Sequence, residues 1–458
     1  MTPIPPITRE IAQRVANTRL DDIPESVVAY SKTLTMSALG AMLAGPQSAG
    51  SDIVTRYVKR AGGTAEASVF GANYKTSVEW AALANATYAH ATEYEDDSFP
   101  EAVSSYTLFP AIFALGQHLH SNGRTALEAF VVAYETQARI GIACREARRL
   151  GYMVLALAGA LGCAAAAARL LGLDEKRTAH ALSIAASQGS GVGYQTGSMA
   201  HIAEMGFAAR NGITAALLAA DGFTGQLDVL EAPRGLLNLI TAGKVDNAAG
   251  ILNDWGRPYR LLEVGIKQYP CCYHLQRMIE STLEQKEAGR ISAGSIAEIV
   301  IEVNAFFPTV VQYLEPRNEI EAQFSLPHAV AAALLETRIL PSSFSMAKIE
   351  SREFRDLRSK VRMVVREDWG WTPTGWTPRI TYRSVAGKEL SIEPQLSKGQ
   401  PPNLFSFDQC IEKYRGCVEG LLPEDRIVES VEMMRSLESC EDLADLVNVV
   451  DAPATSKN

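Results

Sequence analysis

The sequence predicts a mainly α protein, with a large all-helical domain and a smaller α+β lid domain. Three observations carry that prediction. Residues up to about 265 read as successive helices with recognisable starts and stops. Many of those helices carry Ala and Gly where Leu would be expected, as in Ala81 to Ala91 and Ala164 to Ala168, which lets helix axes approach closely. Period-two alternation, the strand signal, appears only after about residue 290. At 458 residues the chain exceeds the size at which one core usually stops growing. The expected division is a helical domain over 1–265, an α+β lid over 266–396, and C-terminal helices over 397–458 that return to the helical domain.

In chain order, Pro24 stands at a first-turn position, followed by Val27, Leu34, Leu39 and Leu43 along one apolar segment. Thr125-Ala126-Leu127-Glu128 has capping-box spacing before an apolar run. Gly151 to Ala168 carries no charge, but its Ala and Gly content makes it a buried helix rather than a membrane span. Gly172 closes that helix, and Asp174 caps the next, which runs to about Gln188. Ile299, Ile301 and Val303 alternate with their neighbours, as do Val361, Met363 and Val365, so both runs predict strands. Arg379 to Arg383 and Glu389 to Ile392 flank a turn at Ala386-Gly387 and predict a hairpin. Phe324 to Glu336 and Ser345 to Leu357 predict helices within the same unit. Helices resume after Asn403, and Asp451 to Asn458 reads as a frayed tail.

Composition bounds the function. With 47% hydrophobic and 21% charged residues the chain should fold. A net charge of −9 argues against a nucleic-acid partner, which needs a basic stripe to displace counterions. Seven cysteines without framework spacing suggest a reducing compartment. The first residues show neither a basic nor an apolar leader region, so the cytoplasm is the expected location, with no membrane partner.

Cofactor signals are absent from the pattern. Gly189-Ser190-Gly191-Val192-Gly193 follows a helix and lacks dinucleotide or phosphate-loop spacing, and no His-Glu-x-x-His run occurs. Neither metal nor cofactor is expected. What remains is a set of lone polar residues in small or apolar surroundings. Lys267 leads them: it precedes Tyr269-Pro270 where the helical part meets the α+β part, and clefts between domains are preferred ligand sites. A second group is the acidic run Glu93-Tyr94-Glu95-Asp96-Asp97, whose carboxylates raise one another's pKa and can supply a base. A third is Gly197-Ser198-Met199-Ala200-His201, where glycine exposes backbone N–H groups to a carboxylate. His274 and His328 sit beside apolar residues, and Arg145, Arg148 and Arg149 share one side of a helical stretch, an anion site or a salt-bridged face.

In order along the chain, Ala89-His90-Ala91 before the acidic run, Ala185-Ala186-Ser187-Gln188, Gly197-Ser198-Met199, Ala208-Ala209-Arg210-Asn211-Gly212 and Gly222-Phe223-Thr224-Gly225 are followed by Lys267-Gln268-Tyr269-Pro270-Cys271-Cys272 and Glu321-Ala322-Gln323-Phe324-Ser325-Leu326-Pro327. Together they make the chain resemble the MmgE/PrpD family across nearly its whole length. That resemblance implies a dimer without metal or cofactor, a site between the domains, and a small anionic di- or tricarboxylate substrate. It also implies proton removal next to a carboxylate, or carboxylate-driven loss of a neighbouring group.

Departures from the family pattern accompany the matches. His-Pro is expected soon after the acidic run, where Pro100 to Ser104 has none, and again where Met153-Val154 follows Tyr152. The usual lysine of the glycine loop falls on His201, and a histidine falls on Glu204. Asp96, Lys267 and His274 are retained. The expected catalytic set is therefore Lys267, His201, Asp96, His274 and Tyr152, with Lys267 stabilising an enolate and the others moving or orienting protons. Ser198, Glu93, Tyr269 and His328 are the expected substrate contacts. The expected function is a cofactor-independent, dehydratase-like lyase; an epimerase and a catalytically silent binding relative are the alternatives. Lys267→Ala is expected to abolish turnover and leave the fold intact.

Overall fold

Apolar residues separate into two cores, and the chain passes from one to the other at Lys267-Gln268. The computed structural model describes residues 6–451 except Pro100 and Asn247. The expected tail beyond Asp451 lies outside them. One core gathers side chains from Ile7 to Ile266 and is rejoined by Cys410 to Val450; the other runs from Tyr269 to Tyr382. The molecule is mainly α, as the periodicities predict, with a large helical part and a smaller α+β part.

The centre of the helical part is the Val154–Leu170 helix, which is buried on every side. Met199–Ala220 packs along it and along Val78–Ala91. Small residues make this possible. Gly212 faces Cys163, Ala164 and Ala160, and Gly206 faces Leu83 and Thr87, so the helices meet backbone to backbone. Glu25–Gln47 is long and apolar enough to cross a membrane, but 78% of that stretch is buried in the core, against Phe407–Val418 among others.

Several local expectations change. The helix expected to start at Thr125 begins at Gly123, because the Asn122 side chain accepts from Thr125 N at 2.8 Å. Glu128, released from capping, instead accepts from Leu20 N at 2.8 Å and pairs with Arg169. Pro24 stands just outside its helix rather than in its first turn. Ser345 to Leu357 is two helices, Met346–Glu350 and Arg352–Arg358, because Ser351 leaves helical geometry and its hydroxyl caps the second by accepting from Phe354 N. The helical part is also not wholly helical. Ala67–Val69 pairs with Tyr74–Thr76 about a turn at Gly71, and Asp96–Asp97 pairs with Gly265–Ile266. Pairs this short carry no periodic signal.

The smaller part is a four-stranded sheet. Ile296–Asn304 lies parallel to Val361–Arg366 on one side and antiparallel to Arg379–Ser384 on the other, and Glu389–Ile392 forms the far edge. Ile299, Ile301 and Val303 point into the core shared with Gln276–Glu287 and Leu326–Leu335. Tyr382 and Thr282 join hydroxyls at 2.9 Å, fastening sheet to helix.

The close approach at Gly212 yields a direct prediction. A Cβ there would overlap Cys163 Cβ and lie 2.7 Å from Ala164 N and 2.8 Å from Ala160 O, and backbone atoms cannot step aside. Gly212→Ala should therefore destabilise the protein by about 1–3 kcal/mol in urea unfolding, despite alanine's better helix propensity. A neutral or stabilising result would show that the helices are not in contact at this point.

Candidate active site

The site is built where the acidic run meets the Lys267 segment. Val78–Ala91 ends with His90 in its last turn, and Glu93 then takes a left-handed φ of +50°, unusual without glycine, which turns the chain back. The following residues pair with the strand before Lys267: Asp96 lies opposite Ile266, Asp97 opposite Gly265, and Lys267 N donates to Glu95 O at 3.2 Å. This ladder delivers the lysine to two carboxylates. Lys267 Nζ donates to Glu93 Oε2 at 3.0 Å and to Glu95 Oε1. Lys267 is 1% exposed, so its ammonium lies inside the protein and not at the surface.

The segment is held from three sides. Gln276 accepts from Gln268 N and Tyr269 N at 3.0 and 2.9 Å and donates to Tyr269 O and Cys271 O at 2.9 and 3.1 Å, using its whole amide on one turn. Gln323 donates to Thr92 O at 3.2 Å and Pro270 O at 3.3 Å, tying the smaller part to the acidic run. Buried Lys413 donates to Tyr94 O at 2.6 Å and Lys267 O at 3.0 Å.

Above the cluster lies a cavity of about 630 Å³ between the two parts, within the range of small-molecule sites. Lys267, Glu93, Glu95, His90 and His201 line one end. Asp97, Arg148, Tyr152 and His274 line its walls, and Arg149 lies over the Trp371 ring at the mouth. The loop Gly191 to Gly193 pairs with Gly151 to Met153, which sets Tyr152 in place.

Burial governs the ionisation. At Lys267 burial opposes the ammonium, but the attraction of Glu93, Glu95 and Asp97 outweighs it, so the pKa rises and the lysine stays charged. Burial raises the Asp97 carboxyl well above its usual range against the pull of Lys267. Burial lowers Arg148 to about 10, opposed by Asp97. His274, enclosed by Phe99, Phe306 and Tyr273, is lowered to about 3 by burial and by Arg148, and is therefore a neutral imidazole.

Five of the nine residues singled out from sequence line the cavity: Lys267, His201, Glu93, His274 and Tyr152. The other four lie elsewhere. Asp96 turns away on its short strand and accepts from Ser104 Oγ at 3.0 Å, Ser105 N at 2.7 Å and Ser105 Oγ. Burial lifts its pKa to about 6 against those donors. Ser198 spends its hydroxyl on Gln195 at the start of Met199–Ala220. Tyr269 is buried in the smaller core, and its backbone rather than its ring serves the site. His328 is fully buried there, its Nε2–H donating to Ser343 O at 2.9 Å. Sequence reasoning left His90, Glu95 and Asp97 unassigned, although the acidic run and Ala89-His90-Ala91 were both visible signals.

Two family models match the chain in succession. The MmgE/PrpD N-terminal domain model matches residues 9–248, and the MmgE/PrpD C-terminal domain model matches residues 269–439. A cis-aconitate decarboxylase from Aspergillus terreus is 26% identical over 484 residues, covering 98% of this chain and 97% of that protein. The cis-aconitate decarboxylase-like protein oryM of Aspergillus oryzae is 25% identical over 480 residues, with 98% of each chain covered. The Homo sapiens cis-aconitate decarboxylase is 24% identical over 469 residues, covering 98% of this chain and 95% of its own.

His328 provides a test of its placement in the core. Burial lowers its pKa to about 4, with Arg358 adding to the effect and Ser343 O opposing it. In the unfolded chain the value is about 6.5, so the unfolded state binds more protons between these limits. The stability this histidine contributes is complete above about pH 6.5 and falls as the pH drops toward 4. Comparing His328→Gln with the natural chain by urea unfolding, the stability gap should narrow by about 2–3 kcal/mol from pH 7 to pH 4. A gap that stays constant would mean that the imidazole is not held neutral.

Proposed function

The chain belongs to the MmgE/PrpD family, and from that premise we propose that it is a lyase that removes a proton next to a carboxylate of a small di- or tricarboxylate. The observation that carries the proposal is the fully buried Lys267 ammonium shared between Glu93 and Glu95 at one end of the cavity. In the resting site the lysine's charge is already matched. Glu95 Oε2 has no hydrogen-bond partner among the described residues, which suits it to accept a proton.

When Glu95 takes the substrate proton, the C–H electron pair moves into the adjoining carboxylate as an enolate. Glu95 is then neutral and Glu93 alone offsets Lys267, so the ammonium hydrogen bond that Glu95 had held turns to the enolate. The pair next forms the carbon–carbon double bond as the bond to the group on the adjacent carbon breaks. A departing hydroxyl leaves as water with a proton from Asp97, the carboxyl whose pKa burial raises. Arg148 and Arg149 stand where a second carboxylate of the substrate would lie, and Tyr152 and neutral His274 orient it. His201 acts at the Glu93 side of the cluster. The tricarboxylate in the relatives' names, cis-aconitate, belongs in the substrate panel, since loss of carbon dioxide also leaves an electron pair beside a carboxylate.

Incubation with a panel of polycarboxylates, including cis-aconitate, in deuterated water tests this by NMR. The expected result is deuterium incorporation together with net bond cleavage, seen as new alkene signals. Exchange without cleavage would replace the lyase with an epimerase, and no reaction across the panel would count against catalysis.

Lys267→Ala is expected to lower turnover by about 100-fold or more. The structure also changes the expectation that the fold tolerates this substitution. Removing Lys267 leaves two buried carboxylates unmatched, which should cost about 3–5 kcal/mol of stability. Lys267→Ala with Glu95→Gln should recover part of that stability and none of the activity. Normal turnover in Lys267→Ala would sink the assignment.

A further inference from the structure

His90, Glu93 and His201 come from the end of one helix, the turn after it and the start of another, and each offers a donor atom within 4.8 Å of the other two. His90 Nε2 and His201 Nε2 both lie 3.7 Å from Glu93 Oε1. That separation is too long for a hydrogen bond, and Glu93 Oε1 has no hydrogen-bond partner among the described residues although Glu93 is 1% exposed. An unpartnered buried carboxylate oxygen flanked by two imidazole nitrogens calls for something between them.

The surroundings are arranged as they would be for a cation. His201 Nδ1 lies 3.3 Å from Glu204 Oε2, so a proton held on Nδ1 leaves the Nε2 lone pair facing Glu93. Glu204 is itself fixed, because its other oxygen accepts from Val192 N at 2.8 Å. Glu93 keeps its second oxygen on Lys267, and the rings of His90 and His201 hold each other edge to face with centroids 4.4 Å apart. Around the gap, three carboxylates, Glu93, Glu95 and Glu204, face the single ammonium of Lys267. All three donor residues line the cavity, so further coordination positions open onto it.

We infer that His90, Glu93 and His201 form a binding site for one divalent transition-metal ion of the zinc or cobalt type. Tetrahedral bonds of about 2.0–2.2 Å need donors about 3.3–3.5 Å apart, so each nitrogen closes on Glu93 Oε1 from 3.7 Å by a few tenths of an ångström, and the two nitrogens draw together from a separation within 4.8 Å. Two imidazoles and one carboxylate suit such an ion and not calcium or magnesium, which prefer all-oxygen sites. The open position faces the substrate cavity and accepts water or a carboxylate oxygen. The inference is independent of the proposed reaction, because ion binding is measured without substrate.

The full chain, stripped with chelator and shown metal-free by elemental analysis, is titrated with Co2+. The expected result is one equivalent bound per chain, visible ligand-field absorption of tetrahedral type, and displacement by Zn2+. His90→Gln and His201→Gln should each abolish stoichiometric uptake, and Glu204→Gln should weaken binding about 10–100-fold by releasing the His201 ring. X-ray absorption of the zinc-loaded natural chain should show two imidazole scatterers, a reading that needs no variant to fold. Absence of stoichiometric uptake, uptake unchanged in both histidine variants, or a bound zinc without imidazole ligands would each overturn the site.

Discussion

The ion pairing of Lys267 with Glu93 and Glu95 is the constraint from which the rest of the architecture follows. An ammonium that is 1% exposed is tolerable only with matched charge and fixed geometry. Its partners lie 174 and 172 residues away in sequence, so the fold must bring two distant segments into register. The two-residue ladder between Asp96–Asp97 and Gly265–Ile266 does this, and Lys267 N extends it by donating to Glu95 O. The same crossing is where the chain leaves the larger core for the smaller one. Fixing the lysine therefore fixes the relation of the two parts, and with it the cavity between them.

Rigidity at that junction comes from polar residues that are wholly committed to backbone. Gln276 grips both sides of the Tyr269-Pro270 turn, Gln323 links that turn to the carbonyl of Thr92, and Lys413 bridges the carbonyls of Tyr94 and Lys267. Burial lowers Lys413 to about 8, and its Nζ donates to both carbonyls. Behind these clamps, small residues let Met199–Ala220 and Val154–Leu170 meet closely, which positions His201 without leaving room to shift. Chemistry that depends on a few tenths of an ångström requires such a frame.

Features governed by short-range periodicity were legible in the sequence. Alternation at Ile299, Ile301 and Val303 gave the central strand, and Asp174 and Gly172 marked helix ends where the structure has them. Lys267 stood out because the turn after it is stiff. Features set by distant partners were not legible. Nothing local tells that Gln276 clamps the turn before it, or that His90 faces His201. Asp96 and Asp97 show the limit most sharply. Successive strand residues point to opposite sides, so a register known to within one residue cannot say which carboxyl faces Ser105 and which the cavity. The retained aspartate of the motif proved to be the structural one, and its neighbour lines the site.

Under the proposed function, an acidic site that takes an anionic substrate poses an electrostatic problem, which the charge layout addresses. Burial raises the Asp97 pKa, and Lys267 offsets part of the charge of Glu93 and Glu95, so the carboxylates repel an incoming anion less than their number suggests. Arg148 and Arg149 stand apart from that cluster on the cavity wall and at its mouth. A polycarboxylate with charges at both ends is then oriented by the difference between its surroundings: one carboxylate is drawn to the arginines, and the carbon beside the other is left against the proton acceptor. Under the proposed chemistry the arrangement also limits when Lys267 acts. The ammonium loses one of its two carboxylate partners only as Glu95 is neutralised by the proton it removes, so stabilisation of the enolate arrives with the transition state rather than with binding. A lysine standing free in the cavity would hold the ground-state carboxylate as firmly as the enolate and would accelerate nothing; burying it between two glutamates is what makes the difference.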